Sequence, residues 1–152
     1  MSLLLVQHGK NLPKDIDPEK GLSPEGKKDV EEAAAVLKTK EVSVSSIYHS
    51  GLKRARETAD IFAAVLGSGI EVLEMEGLTP LDDVTKLNPD PEKDVMLVGH
   101  LPFMERLVSF LIAGSPERPP VVKFRNGGTV AMDKYTESGA WYIKWTLFPY
   151  FD

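Results

Sequence analysis

The apolar run Leu3-Leu4-Leu5-Val6 breaks abruptly at Gln7-His8-Gly9 and gives way to a polar stretch reaching Lys20. A short apolar run bounded by a glycine step predicts a buried strand over 2–7. The following residues, 10–22, contain Pro13 and Pro18 and read as a loop. At Leu22-Ser23-Pro24-Glu25-Gly26 the period changes. Ser23 suits a helix N-cap and Pro24 the first helical position, while Val30, Ala33, Ala34 and Leu37 recur at helical spacing. This helix is expected to end between Lys38 and Lys40. Residues 44–50 read as a second strand centred on Ile47 and Tyr48. Leu52, Ala55, Ala59, Phe62 and Leu66 then mark one face of a second helix, stopped by Gly67 and Gly69.

Residues 70–73 predict a short strand, and Thr79-Pro80 to Lys86 a short helix or turn. A proline-rich loop runs from there through Pro91. Val95-Met96-Leu97-Val98 is a continuous apolar run, the pattern of a strand buried on both faces, and it ends at Gly99-His100. Pro102 opens a third helix through Ala113, with Phe103, Leu107 and Phe110 or Leu111 inward. After a loop over 114–120, the stretches 121–124, 129–132 and 141–147 predict strands joined by glycine-containing turns. The order βα-βα-β-βα implies an α/β fold with a mostly parallel sheet between two helical layers. The last strands form a hairpin at one edge and make the sheet mixed. One domain over 1–152 accommodates the whole pattern.

Composition narrows the chemistry. The chain has no cysteine, which removes disulfides, thiolate nucleophiles and cysteine-based zinc sites. Its formal net charge of −5 argues against nucleic-acid binding. No apolar stretch is long enough to cross a membrane, and the N-terminus lacks the basic and apolar regions of a secretory signal. A cytoplasmic location is the expectation. An acidic protein that binds an anion must gather its cations locally, so clustered Arg, Lys and His near strand ends carry weight.

Two of the three histidines, His8 and His100, follow predicted strands and adjoin a glycine. Strands of one parallel sheet end on the same side, so both side chains can meet over one crevice. Their separation in sequence excludes a local metal-binding pair on one helical turn. A third element is Ser50-Gly51-Leu52-Lys53-Arg54-Ala55-Arg56-Glu57-Thr58, a strand end, a turn and a helix start. Cations in the first helical turn oppose the macrodipole, whereas an anion bound there would reverse the sign of that interaction. Lys53 and Arg56 read as solvated charges; Arg54 lies near the edge of the apolar stripe and is the candidate inward cation.

These motifs resemble the histidine phosphatase, or phosphoglycerate mutase-like, superfamily. The Arg-His-Gly step after the first strand is matched as Gln7-His8-Gly9. The Leu-Ser/Thr-x-x-Gly helix start is matched by Leu22-Ser23-Pro24-Glu25-Gly26. Ser-x-x-x-Arg-Ala-x-x-Thr is matched by Ser50, Arg54, Ala55 and Thr58, and the late Gly/Ser-His pair by Gly99-His100. The short chain, Leu78-Thr79-Pro80 and His100-Leu101-Pro102 are similar to the SixA-type phosphohistidine phosphatases. The resemblance implies a three-layer α/β/α sandwich and a metal-independent phosphatase without cofactor. It implies His8 as the phosphoryl acceptor, with Arg54 and His100 on the phosphate oxygens. Gln7, Gly9, Lys10, Asn11, Ser50 and Asn126 are expected around the substrate. The implied partner is a phosphorylated substrate, such as a phosphohistidine protein.

Gln7 departs from the pattern. An amide donates a hydrogen bond but lacks the charge and fork of arginine. Lys10 reads either as a solvated loop lysine or as a point charge that reaches back and compensates. With Gln7 in that place, a second reading is a phosphate- or phosphoprotein-binding relative with weak or no turnover. Glu76, Asp82 and Asp83 lie where larger members of the superfamily carry a general acid, without matching a motif. A serine hydrolase built on Ser50 is disfavoured because no Gly-x-Ser-x-Gly elbow surrounds it.

Overall fold

The computed structural model describes residues 2–90 and 93–149, so Pro91 of the expected loop lies outside the described residues. Among the described residues six strands and three helices follow the anticipated order, without the strand expected over 121–124. They are β1 (Leu3–Gln7), α1 (Pro24–Thr39), β2 (Ser46–His49), α2 (Lys53–Leu66), β3 (Glu71–Glu74), β4 (Val95–Gly99), α3 (Phe103–Ala113), β5 (Thr129–Lys134) and β6 (Trp141–Leu147). The expected short helix near 79–86 is a single 3-10 turn, Val84–Lys86, capped by Asp83.

The strand order is β3-β2-β4-β1-β5-β6. Strands β1 to β4 run parallel, while β5 pairs antiparallel with both β1 and β6. The chain therefore leaves β1, crosses to β2 and β3, and returns to place β4 between β1 and β2. This arrangement brings the C-terminal ends of β1, β4 and β2 together, the position at which open α/β sheets bind ligands.

Alternation along the central strands divides the core into two layers. Leu4, Val6, Ile47, Met96 and Val98 meet Val30, Ala33, Ala34 and Leu37 of α1 and Ala55, Ala59 and Phe62 of α2. Leu3, Leu5 and Leu97 point the other way, against Phe103, Met104, Leu107 and Val108 of α3, with Leu78, Val84 and Phe124 completing that layer. The result is the three-layer sandwich expected from the sequence. All five β1 residues are buried, as a strand covered on both faces requires.

The helix ends explain where the site loops begin. Ser23 caps α1 by accepting the Gly26 N–H at 3.0 Å, and Pro24 occupies the first position. Gly114, in the left-handed region, closes α3 and returns its N–H to the Phe110 carbonyl. The strand expected over 121–124 is absent; that stretch is loop. Val121 is half exposed, and the Phe124 N–H donates to the Glu105 carboxylate on α3 at 2.9 Å instead of joining a strand ladder. Phe124 alone carries the burial that the apolar pattern had suggested for the whole stretch.

Gly26 fixes the loop after β1 against α1. A Cβ there would run into the Lys10 carbonyl, a backbone group that cannot swing aside. Gly26→Ala is expected to destabilise the fold by about 1–3 kcal/mol through overpacking. Thermal unfolding should register a fall in Tm of roughly 2–10 °C for a chain of this size.

Candidate active site

The register Gln7↔Gly99 makes His8 and His100 the next residues on two adjacent parallel strands. The His8 N–H continues the ladder by donating to the Gly99 carbonyl at 3.0 Å. The imidazoles thus lie side by side, with ring centroids 5.1 Å apart and planes tilted by 52°. Both are buried, His8 at 7% exposure and His100 at 1%.

A hydrogen bond sets the His8 tautomer. Its Nδ1 lies 2.7 Å from the Gly9 carbonyl oxygen. A carbonyl can only accept, so Nδ1 carries the proton and Nε2 keeps its lone pair. Burial lowers the His8 pKa from 6.5 to about 4; the Gly9 carbonyl opposes this, and the nearby Arg54 and Lys20 charges add to it. Burial, followed by His8 and Arg54, lowers His100 to about 3. Both rings are therefore neutral at pH 7. His100 Nε2 lies 2.6 Å from the Ser50 hydroxyl, which also accepts the Leu52 N–H, while His100 Nδ1 is buried without a partner.

Arg54 stands in the first turn of α2, half-buried, and burial depresses its own pKa. Among the described residues no side chain caps this helix, and its first turn holds no acid to offset the positive end. The structure thereby gathers His8, Ser50 and His100 from the ends of three strands and Arg54 from the first turn of α2. Gly9 belongs with them as a spacer. A Cβ on it would press Val30 Cγ2 at 2.8 Å and the Gly26 carbonyl at 3.1 Å.

Other expected residues have different places. Asn126 donates through Nδ2 to the His8 carbonyl at 3.2 Å, and Gly127 N–H reaches the Gln7 and His8 carbonyls. That segment holds the His8 backbone. Asn11 turns its amide to the Leu12 carbonyl. Lys10 is a correction: its Nζ pairs with Glu25 at 2.8 Å on the first turn of α1. Its main chain, held by Ser23 and packed on Gly26, directs it to that helix. Gln7 is only 8% exposed, and its Oε1 is buried without a hydrogen bond.

Asp82 accepts from the Thr79 N–H and hydroxyl, and these bonds hold its carboxyl below the ordinary range. Asp83 does the same for Thr85. Both are therefore ionised acceptors near neutral pH. Glu76 is exposed. Lys53, read as a solvated charge, is instead an anchor, 2.9 Å from Asp17 and 3.7 Å from Glu19. Arg56 is exposed as expected.

Two positioning residues were not among the expected site residues. Thr58, fully buried, accepts the Gly9 N–H at 3.0 Å and donates to the Arg54 carbonyl at 2.8 Å, so it ties the His8 loop to α2. The signal was a hydroxyl four residues after Arg54 on the helix's buried face. His49 accepts the Gly51 N–H at Nδ1, 3.0 Å away, and fixes the turn that starts α2.

Comparisons with known proteins agree with this fold. The structure is similar to the protein histidine phosphatase SixA complexed with tungstate, with a TM-score of 0.76 and 24% identity over 98% of this chain and 97% of that one. It is also similar to a mycobacterial glucosyl-3-phosphoglycerate phosphatase, with a TM-score of 0.72 and 16% identity over 95% and 97% of the two chains. At such identities the likeness establishes the fold and selects no substrate. A 2,3-bisphosphoglycerate-dependent phosphoglycerate mutase from Parvibaculum lavamentivorans is 37% identical over 102 residues, 60% of this chain and 48% of the mutase, so the match spans about half of that relative's length. Residues 3–82, more than half of the sequence, match the histidine phosphatase superfamily (branch 1), and the chain belongs to that superfamily.

Proposed function

We propose that this protein is a phosphatase that takes a phosphoryl group onto His8 Nε2 and passes it to water, with phosphohistidine as the substrate class. The observation that carries the reading is the Nδ1–H to Gly9 carbonyl bond, which leaves Nε2 free beside Arg54 and His100. In the first step Nε2 attacks phosphorus, the bond to the leaving group breaks, and its electron pair departs with that group. In the second step water attacks the phosphorylated His8, the P–N bond breaks back onto Nε2, and phosphate leaves. Such a transfer asks chiefly for in-line placement and compensation of charge on the phosphoryl oxygens. Arg54 supplies charge and a planar fork of donors. His100 would have to exchange Ser50 for a phosphoryl oxygen.

The choice of phosphohistidine follows from the carboxylates. An alkoxide leaving group needs a positioned acid. Asp82 and Asp83 are held ionised by their hydrogen bonds and cannot serve in that state. A phosphoramidate whose ring nitrogen is already protonated leaves as neutral imidazole and needs no such acid. This favours a SixA-like reaction over the phosphate ester chemistry of the mutase relative. The implied partner is a phosphorylated protein, and a cytoplasmic setting fits it; among the described residues no helix is long and apolar enough to cross a membrane.

Gln7 supports a second reading, a phosphate- or phosphoprotein-binding protein with little turnover, because its buried amide adds no charge to the site. Enzyme and binder separate on direct assay. The enzyme hydrolyses a phosphohistidine protein and accumulates an acid-labile phosphoenzyme, whereas the binder retains phosphate without releasing product. His8→Ala is expected to lower turnover by roughly a thousandfold or more and to abolish the phosphoenzyme. Gln7→Arg is expected to raise kcat/KM by about a hundredfold, chiefly by lowering KM, because the added charged donor meets the bound dianion.

Acid sensitivity offers a test independent of turnover. His8 and His100 have folded-state pKa values below the 6.5 of the unfolded chain, so between pH 6.5 and about 4 the unfolded state binds protons that the folded state refuses. Their neutral forms favour folding fully above pH 6.5, and that contribution is lost as pH falls through the window. Burial pushes His49 in the same direction. Each histidine adds up to about 1.4 kcal/mol of stability per pH unit within its window. Denaturant unfolding at pH 7 and 5 should show the fall, and His8→Ala should flatten it.

A further inference from the structure

Lys20 lies in the loop between β1 and α1 and has a left-handed backbone, φ 54°. Among the described residues only Glu41 shares that conformation without being glycine, and Glu41 follows the end of α1, where such a residue terminates the helix. Lys20 has no such role. It closes the turn begun at Asp17, donating its N–H to the Asp17 carbonyl at 2.9 Å. A lysine is an unfavourable choice for a conformation that glycine adopts freely, and strained residues cluster at functional sites.

Three contacts fix where this turn sits. Asp17 reaches the Lys53 ammonium at 2.9 Å. Gly21 lies flat against the first turns of α2, where a Cβ would meet Glu57 Oε1 at 2.6 Å and Lys53 Cε at 2.8 Å. Leu22 N–H donates to Glu57 at 2.8 Å, and the Leu22 side chain lies 3.3 Å from where a Cβ on Gly9 would stand. Residue 20 is thus held at the rim between the His8-Gly9 step and the helical turn that carries Arg54. The nearby acids, Asp17 and Glu19, both face Lys53. Among the described residues the Lys20 ammonium has no hydrogen bond or ion pair, yet its charge is felt at His8.

The site needs such a charge. A phosphoryl dianion would meet Arg54, two neutral imidazoles and the neutral Gln7, one positive charge against two negative. We propose that Lys20 supplies the second cation of the phosphoryl site, meeting the outer oxygens from the rim while Arg54 meets them from the helix start. This rests on the phosphoryl-binding reading of the His8 crevice and extends it to a residue outside the strand ends.

The test uses inorganic phosphate and the whole protein. Isothermal titration should show Lys20→Ala weakening phosphate binding by about fivefold at low salt, the scale of an exposed ion pair. The loss should shrink at high salt, and Lys20→Arg should retain the wild-type affinity. Lys20→Gly, which suits the left-handed backbone, should lose the same binding without loss of fold. By NMR, removal of the charge should raise the His8 titration midpoint. Unchanged phosphate affinity and unchanged His8 titration in both neutral variants overturn the proposal, as does a wild-type protein that binds no phosphate. Phosphate binding with an intact Lys20 effect but no hydrolysis of phosphohistidine would sink the phosphatase reading alone. Normal hydrolysis with a silent Lys20 would sink this proposal alone.

Discussion

The site depends on the parallel pairing of β1 with β4. Gln7 opposite Gly99, with His8 N–H on the Gly99 carbonyl, places two imidazoles on neighbouring strand ends. A shift of one residue in that register would move one ring to the opposite layer of the sheet, because side chains alternate faces. The register is specified by what lies behind it. Leu4, Val6, Met96 and Val98 must face α1 and α2, while Leu3, Leu5 and Leu97 face α3. The apolar pattern that builds the core therefore also brings the histidines within 5.1 Å of each other.

Burial then does chemical work. At 7% and 1% exposure, neither imidazole readily accepts a proton, and the Arg54 guanidinium reinforces this. A neutral His8 with its proton on Nδ1 is the form in which Nε2 can act as a nucleophile. Neutral rings contribute no positive charge, so an anion in the crevice must be held by cations and backbone donors on other elements. Thr58 shows how tightly those elements are tied. One hydroxyl joins the Gly9 N–H to the Arg54 carbonyl, so the His8 loop and the helix that carries the Arg54 cation are positioned together.

Much of this was legible in the sequence because local and tertiary preferences agree there. Ser23 and Pro24 start a helix in isolation and in the fold, and the run at 95–98 is apolar enough to be a buried strand in any context. Residues 121–124 have the apolar composition of a strand without its burial. Only Phe124 is buried, and a carboxylate on α3, distant in sequence, takes its backbone N–H. The role expected of Lys10 failed for a similar reason. Proximity to His8 in sequence was outweighed by Glu25, which α1 brings to its ammonium. Lys20 was hidden by the reverse effect, since the path of its loop depends on contacts of Asp17, Gly21 and Leu22 with α2 that no local pattern encodes.

Gln7 changes meaning once charge is considered along the reaction. A loose phosphoryl transition state resembles metaphosphate, which carries one negative charge where the bound dianion carries two, the other moving to the leaving group. On the proposed reading, Arg54 at the helix start matches the single charge of that state. A second buried cation at position 7 would add most to binding of the dianion, and uniform binding does not accelerate the chemical step. The rim offers a different environment. An exposed ammonium such as Lys20 is screened by water and acts mainly on capture and orientation of the dianion. Dividing the charge between a half-buried guanidinium and an exposed ammonium separates catalysis from capture. A crevice holding a buried amide and two neutral imidazoles can then still favour phosphoryl transfer, with weaker ground-state binding than a second buried arginine would give.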